Sequence, residues 1–235
     1  MSGDNHPAPS IKPLIIGVTG GMASGKSTLA RMFAGRGILH LDADTIVHDL
    51  MRNDRDTIAA IAAVFPEAVT SPHTVTPSHD GAHLSSVVQM DPVMRRGDSV
   101  SIDRARLAAH ITRHPEALAT LETILHPRVR AVEESTIAAA RRNRLRAVIL
   151  DIPLLFETDA HQLCDIVIVA HAPLHHRRTR AFARPGMTEE KWQRLLARQL
   201  PAPIRNAAAD IVIPTAIGKA ATRRIVMALM REWGL

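Results

Sequence analysis

The sequence predicts an α/β fold, a five-stranded parallel sheet with helices covering both faces. Three observations predict it. Five short apolar runs (LIIGV, ILHLD, AVILD, DIVIV and DIVI) are separated by helical segments, and strands that alternate with helices join in parallel through crossovers. The runs lack a regular polar alternation, as strands buried on both faces require. The glycine cluster GGMASGKST follows the first run directly, at the carboxyl end of a strand, where sheets of this kind bind ligands.

Along the chain, residues 1 to 12 are polar and carry prolines, without the cationic start and apolar stretch of a signal peptide. A disordered tail is expected there. Pro13 opens the first strand. After the glycine loop, Leu29, Met32 and Phe33 recur at helical spacing, which predicts a helix from Lys26 to Arg36 ended by Gly37. ILHLDAD is a second strand with Asp42 and Asp44 at its carboxyl end, and a helix is expected from about Thr45. RDTIAAIAAV is helical. Residues 66–100 are dense in Pro, Ser, Thr and His and predict a long loop. Residues 102–113 and 115–140 are helical, with a kink or restart at His126-Pro127. RAVILDIP and CDIVIVAH form strands three and four. Helices follow near 173–184 and 188–199, then a fifth strand, ADIVIPT, and a last helix over 217–233.

Composition narrows the function. With 46% hydrophobic and 22% charged residues the chain is an ordinary globular protein. It has 2 Trp, 4 Phe and no Tyr, too few aromatics for a base-stacking platform, so no nucleic-acid partner is expected. No run approaches the roughly 20 apolar residues of a membrane span. The net charge of +6 suits either solubility or attraction to anions. The single cysteine, Cys164, fits a reducing compartment and is expected to be buried and inert. A cytoplasmic location is therefore expected.

Gly20-Gly21-Met22-Ala23-Ser24-Gly25-Lys26-Ser27 matches G-x-x-x-x-G-K-[ST], the phosphate-binding P-loop. Its glycines let successive backbone N–H groups turn inward. Lys26 then reaches the β- and γ-phosphates, the Ser27 hydroxyl holds Mg²⁺, and Thr28 contacts the α-phosphate side. A plain glycine turn would not explain Lys-Ser-Thr at this spacing. The expected architecture is thus a three-layer P-loop NTPase fold. The guanine motif N-K-x-D and the transporter motif L-S-G-G-Q are absent. In HHRRTRAFARPGMTEEKW, Arg177, Arg180 and Arg184 are spaced by three and four residues and share a helix face. Guanidinium forks suit phosphate oxygens, so the segment reads as a lid that closes over ATP and neutralises the transferred charge. The alternative is a solvated basic helix. RRNRLR (141–146) reads as a solvated helix end.

The order VTGGMASGKST, LDADTIVHDL, IDRARL, LHPRV, DIPLLFE, R-x-x-R-x-x-x-R and the Gln199-to-Asp210 stretch ending in ADIVI resembles the dephospho-CoA kinase family, from Leu14 to about Gly218. The resemblance implies transfer of the ATP γ-phosphoryl group to the ribose 3′-hydroxyl of dephospho-CoA, giving CoA and ADP. It implies a nucleotide-binding core (13–47, 141–172 and 203–235), an inserted helical substrate domain (48–140) and a lid (173–202). It matches Asp44 to the group that receives or orients the hydroxyl proton; the alternative is a helix cap. Asp42 could cap or ligate magnesium through water. Asp151, ending strand three, is a candidate metal ligand, against a plain turn residue. Arg180 is the candidate catalytic arginine, with Arg177 and Arg184 as nucleotide ligands. Glu157 is a substrate-side or structural carboxylate, Leu154 to Phe156 are packing residues, and Arg104 and Arg106 are candidates for the CoA phosphates. His126 reads as structural, and the spacing of His73, His79 and His83 does not suit zinc.

Two departures from the family stand out: the long 66–100 link, and Pro214-Thr215 where an asparagine near the adenine is usual. A monomer or small homo-oligomer is expected. The competing functions are another P-loop small-molecule kinase and a nucleotide-dependent switch.

Overall fold

The computed structural model describes residues 12–35, 37–70 and 100–235. The expected tail up to residue 11, the bulk of the expected 66–100 loop with His73, His79 and His83, and Arg36 lie outside the described residues.

The first strand, β1 (Leu14–Gly20), runs two residues further than LIIGV and delivers Gly20 directly to the loop. Helix α1 (Lys26–Met32) is shorter than expected. Phe33 caps it through its own N–H, bonded to Ala30 O, and is fully buried. Gly35 follows closely, and glycine is a poor helix residue; Gly37, φ +75°, serves the turn into the next strand rather than the helix end. That strand, β2 (Ile38–Asp42), stops at Asp42, and α2 (Ala43–Asn53) begins at once. Asp44 is thus a first-turn helix residue, not a strand residue.

Next come α3 (Arg55–Val64), a 3-10 turn (Pro66–Ala68), and two dipeptide strands, β3 (Val69–Thr70) and β4 (Ser101–Ile102), paired antiparallel. Then follow α4 (Arg104–Arg113) and α5 (Ala117–Arg142). Of the kink or restart expected at Pro127, the restart does not occur: α5 is helical throughout. The proline ring still removes one backbone bond there, and the Arg128 side chain donates to Ile124 O at 2.7 Å beside the gap. The rest is β5 (Ala147–Asp151), a 3-10 turn (Ala160–Leu163), β6 (Ile166–His171), α6 (Leu174–Phe182), α7 (Glu189–Ala197), the unforeseen short α8 (Ala202–Ala207), β7 (Ile211–Pro214) and α9 (Lys219–Glu232).

The sheet is parallel, in the order β2-β5-β1-β6-β7. Successive strand residues point to opposite faces, and the buried residues divide accordingly. Ile16, Val18, Ile149 and Ile168 pack with Leu29 and Phe33 of the α1 segment and Val226 and Met230 of α9. Ile15, Val148, Leu150 and Val167 pack with Ile137 and Ala140 of α5 and with Leu155. Helix, sheet and helix make three layers.

The chain divides into two compact units. The first holds residues 12–46 and 129–235 of the described chain and contains the sheet and the whole 173–202 segment. The second, 47–128, has its own core of Met51, Ile61, Phe65, Ala68, Leu107, Leu121 and Leu125. The division falls inside α5, at 128/129, earlier than the boundary near 140 read from sequence, because Ile137 and Ala140 belong to the sheet's core.

Candidate nucleotide-binding site

The loop between β1 and α1 is folded by its own backbone and by arginines that reach it from a distance. Ser24 N–H donates to Gly21 O at 2.9 Å, closing a turn. Ala23 and Gly25 both have positive φ, +60° and +94°, a region that costs an L residue strain and glycine little. Glycine is also required at the start by space: a Cβ on Gly20 would lie 2.5 Å from Ser24 Oγ and 2.6 Å from Ala170 O.

The loop's carbonyls point outward to fixed partners. Arg177 Nε donates to Met22 O at 2.9 Å. Arg180 donates to Ser24 O at 3.4 Å and to Thr215 O at 3.0 Å. The Thr215 hydroxyl also contacts Ser24 O, as well as His171 O at 3.0 Å. In a trans peptide the C=O and the next N–H point in opposite directions, so the N–H groups of Ala23 and Gly25 turn away from these partners.

At the sheet edge beside the loop, Asp42 of β2 is in register with Asp151 of β5, and Asp151 with Val18 of β1. Asp151 is fully buried. One carboxylate oxygen pairs with Lys26 Nζ; the other has no hydrogen-bond partner, with His40 Nε2 3.8 Å away. Lys26 therefore rests on Asp151, which joins two residues that the sequence assigned separately. Asp42 Oδ1 accepts from Asp44 N–H at 3.0 Å, a capping bond at the start of α2. Asp42 is thereby the cap, and Asp44 sits exposed in the first helical turn. The two aspartates therefore do not both end the strand, as the sequence suggested, since α2 begins between them.

A cavity of about 310 Å³ adjoins the loop, lined by Ala23, Gly25, Thr28, Arg180, Arg184 and Thr215 among others. Ser27 is half-buried at the start of α1. Of the three arginines, only Arg177 and Arg180 lie in α6, which ends at Phe182; Arg184 follows the helix, so the expected common helix face is not formed, and the three do not share an environment either. Arg180 and Arg184 are exposed, whereas Arg177 is buried. Burial, and then the nearby Arg205 cation, lower the Arg177 pKa from its ordinary value. In the sequence Gln199 stands only as the start of a family-like stretch, with no role assigned to it or to His40; in the structure its Oε1 accepts from Met22 N–H at 2.9 Å. Both depend on contacts between segments distant in the chain.

Other expected residues have partners of their own. Glu157 Oε1 accepts from Leu200 N–H at 2.8 Å, a structural bond. Leu155 is fully buried, as packing requires. Arg104 and Arg106 lie at the start of α4 in the second unit, where Arg104 contacts His48 Nδ1 at 2.5 Å and Arg106 pairs with Asp103 at 3.5 Å. Cys164 is half-buried rather than buried, and burial is the main cause that pushes its thiol pKa up to about 12. Among the described residues no cluster of His, Cys, Asp and Glu is arranged to hold a metal ion by itself, and no helix is long and apolar enough to cross a membrane.

The sequence profile described as dephospho-CoA kinase matches residues 14–75 and 79–218. The chain belongs to the dephospho-CoA kinase family. Members from Rhodospirillum rubrum and Agrobacterium fabrum show the same relationship by direct alignment. The first is 37% identical over 87% of this chain and 84% of its own length, the second 34% identical over 94% and 98%. The solved dephospho-CoA kinase of Campylobacter jejuni, 21% identical, shares the fold with a TM-score of 0.58, over 94% of this chain and 98% of that one. The loop, the DAD segment and the arginine helix described above all fall inside the family match.

Proposed function

We propose that this chain transfers the γ-phosphoryl group of ATP to the 3′-hydroxyl of dephospho-CoA, giving ADP and coenzyme A. The observation that carries this reading is the family match across residues 14–75 and 79–218, with an intact phosphate loop at its amino-terminal end. The enzyme is a kinase whose acceptor is a small-molecule alcohol.

The roles of individual residues follow from chemistry. The N–H groups of Ala23 and Gly25, turned away from the arginines, would cradle phosphate oxygens with those of Lys26, Ser27 and Thr28. Lys26 would exchange its contact with Asp151 for the β- and γ-phosphates and neutralise charge as the phosphoryl group moves. Arg180 and Arg184, at the cavity that adjoins the loop, would hold the nucleotide, Arg180 while also bonded to the loop at Ser24 O. Arg177 would act on the loop rather than on the nucleotide. Asp44 would orient the incoming hydroxyl and accept its proton. The topology supports this by placing Asp44 just beyond the sheet edge that carries the loop.

The residues present fit a magnesium ion. A hard dication takes oxygen donors, and the buried Asp151 oxygen without a hydrogen bond is such a donor, with the Ser27 hydroxyl as its partner. When bound, Mg²⁺ would draw charge from the phosphate oxygens. The second unit, with Arg104 and Arg106 at the head of α4, would receive the coenzyme part of the acceptor. The enzyme would work in the cytoplasm as a monomer or small homo-oligomer.

The test is a turnover assay with ATP and dephospho-CoA. ADP should appear in step with CoA, and no comparable rate should be seen with sugar, shikimate or nucleotide acceptors. ADP release that ignores the acceptor would mark a nucleotide-dependent switch and defeat this reading.

A further inference from the structure

Behind the phosphate loop three residues close a ring of hydrogen bonds. Gln199 Oε1 accepts from Met22 N–H at 2.9 Å and from Arg177 Nη2 at 3.3 Å. Arg177 Nε in turn donates to Met22 O at 2.9 Å. Met22 is therefore gripped at both its N–H and its C=O. The ring is built at some cost. Arg177 is only 5% exposed, and a buried guanidinium must be compensated by bonds or it destabilises the fold. Gly21 is held to glycine by the same ring, since a Cβ there would overlap the Arg177 guanidinium. Arg177 belongs to α6 and Gln199 follows α7, so the ring ties both ends of the arginine-bearing segment to the loop.

We propose that Gln199 is a positioning residue for phosphoryl transfer. Together with Arg177 it fixes the Met22 backbone so that the Ala23 N–H already faces the nucleotide side when the phosphates arrive. The inference rests on the nucleotide role proposed for the loop, and it assigns Arg177 to the loop's outer side. The physical basis is preorganisation: a donor set in place beforehand spends no reorganisation energy on its charged ligand. A glutamine suits the position because its carbonyl oxygen has two lone pairs, one for Met22 N–H and one for Arg177. A hydrocarbon of similar size would leave a backbone N–H and a buried cation short of an acceptor, a penalty larger than the average worth of either bond.

The experiment uses the full-length chain with Gln199→Leu, Gln199→Glu and the milder Gln199→Asn. It reads ADP affinity by titration calorimetry, KM for each substrate and kcat at steady state, and the melting temperature. Gln199→Leu should weaken ADP binding and raise KM for ATP about tenfold, while KM for dephospho-CoA stays within about twofold. Gln199→Glu keeps both acceptor positions and should stay within about threefold of the wild type in every parameter. If Gln199→Leu does not fold, Gln199→Asn, one methylene short of Met22, carries the test with a loss of about three- to tenfold in ADP affinity.

The proposal is overturned if the variant that folds leaves ADP affinity within about twofold. It is equally overturned if KM rises alike for both substrates, which is the sign of a general structural defect, or if Gln199→Glu is as impaired as Gln199→Leu. ADP binding needs no acceptor. A chain that binds ADP but fails to phosphorylate dephospho-CoA would therefore refute the assigned reaction and leave the positioning role to be judged by calorimetry alone.

Discussion

The two units of the chain are held together by different means. Of the eight buried polar or charged side chains among the described residues, Thr57 alone lies in the second unit, and it is bonded locally to Asp54. Thr19, Ser24, Glu133, Asp151, Arg177, Arg205 and Thr222 all lie in the first. Burying a polar group costs free energy that only a matched partner returns. The first unit accepts that cost, mostly around the loop and the carboxyl ends of the strands, where groups of fixed orientation are needed. The second unit avoids it and relies on apolar contact, as a body that supplies shape rather than chemistry would. On this contrast, substitutions in the first unit should damage phosphate handling more than stability, and those in the second the reverse.

The largest effect is expected from Lys26→Ala. It removes the fixed cation from the migrating phosphoryl group, and turnover should fall at least about a thousandfold. The change also strips Asp151 of its ion-pair partner, and breaking a buried pair costs about 3 kcal/mol or more. Adding Asp151→Asn to Lys26→Ala should restore much of the melting temperature and none of the turnover. Recovery of both would mean that the ammonium serves the fold alone. Turnover within a few-fold of the wild type for Lys26→Ala would remove the phosphate reading altogether.

Asp44→Asn should come next, with kcat lower by about a hundredfold and ADP affinity within about twofold. Here the first unit's chemistry is tested without touching its interior, because Asp44 is exposed in the first turn of α2. Unchanged kcat would return Asp44 to a helix-end role. Leu121→Ala makes the opposite probe. Leu121 is 6% exposed in the second unit's core, and truncation should cost about 2–5 kcal/mol. Urea unfolding should shift accordingly, while ADP affinity measured below the transition stays that of the wild type. A fall in ADP affinity would show that the apolar body also supports the phosphate loop.

What sequence could and could not reveal follows the same contrast. The five strands and the phosphate loop were legible because each is a local pattern: an apolar run, or a spacing of Gly, Lys and Ser within nine residues. The Lys26 contact with Asp151 joins residues 125 apart, and the Gln199 bond to Met22 spans 177. No local pattern marks such pairs. Arg177, Arg180 and Arg184 illustrate the limit well. Their spacing predicted one helix face, but α6 stops at Phe182 and leaves Arg184 beyond it, and burial separates Arg177 from the others, which depends on what packs against the helix. Short elements were missed for a related reason. Helix α8 and the β3–β4 pair span too few residues to show a period. The starting point of α2, two residues earlier than Thr45, turned on a single side chain, the Asp42 cap.

The smallest expected effect tests whether the first unit's polar contacts matter away from the loop. Asp165 lies just before β6, where its Oδ2 accepts from Ile15 N–H of β1 at 2.9 Å and its Oδ1 pairs with Lys12 at 3.0 Å. Burial by itself would raise this carboxyl's pKa, but the Ile15 N–H bond and the Lys12 ammonium outweigh it, and the pKa lies below the ordinary value. A carboxyl depressed in the folded state stabilises above its unfolded pKa, near 3.9, and loses that contribution as pH falls through the folded value. Asp165→Asn keeps an acceptor for Ile15 but discards the charge. Lys12 is 61% exposed, so solvent screens the pair and the loss should be about 0.5–1 kcal/mol. Melting curves of the two proteins should differ by a few degrees at pH 7, and the gap should close as the pH falls through the carboxyl's depressed folded value. A gap that persists in acid would show that the shape of the side chain, not its charge, holds β1 beside β6.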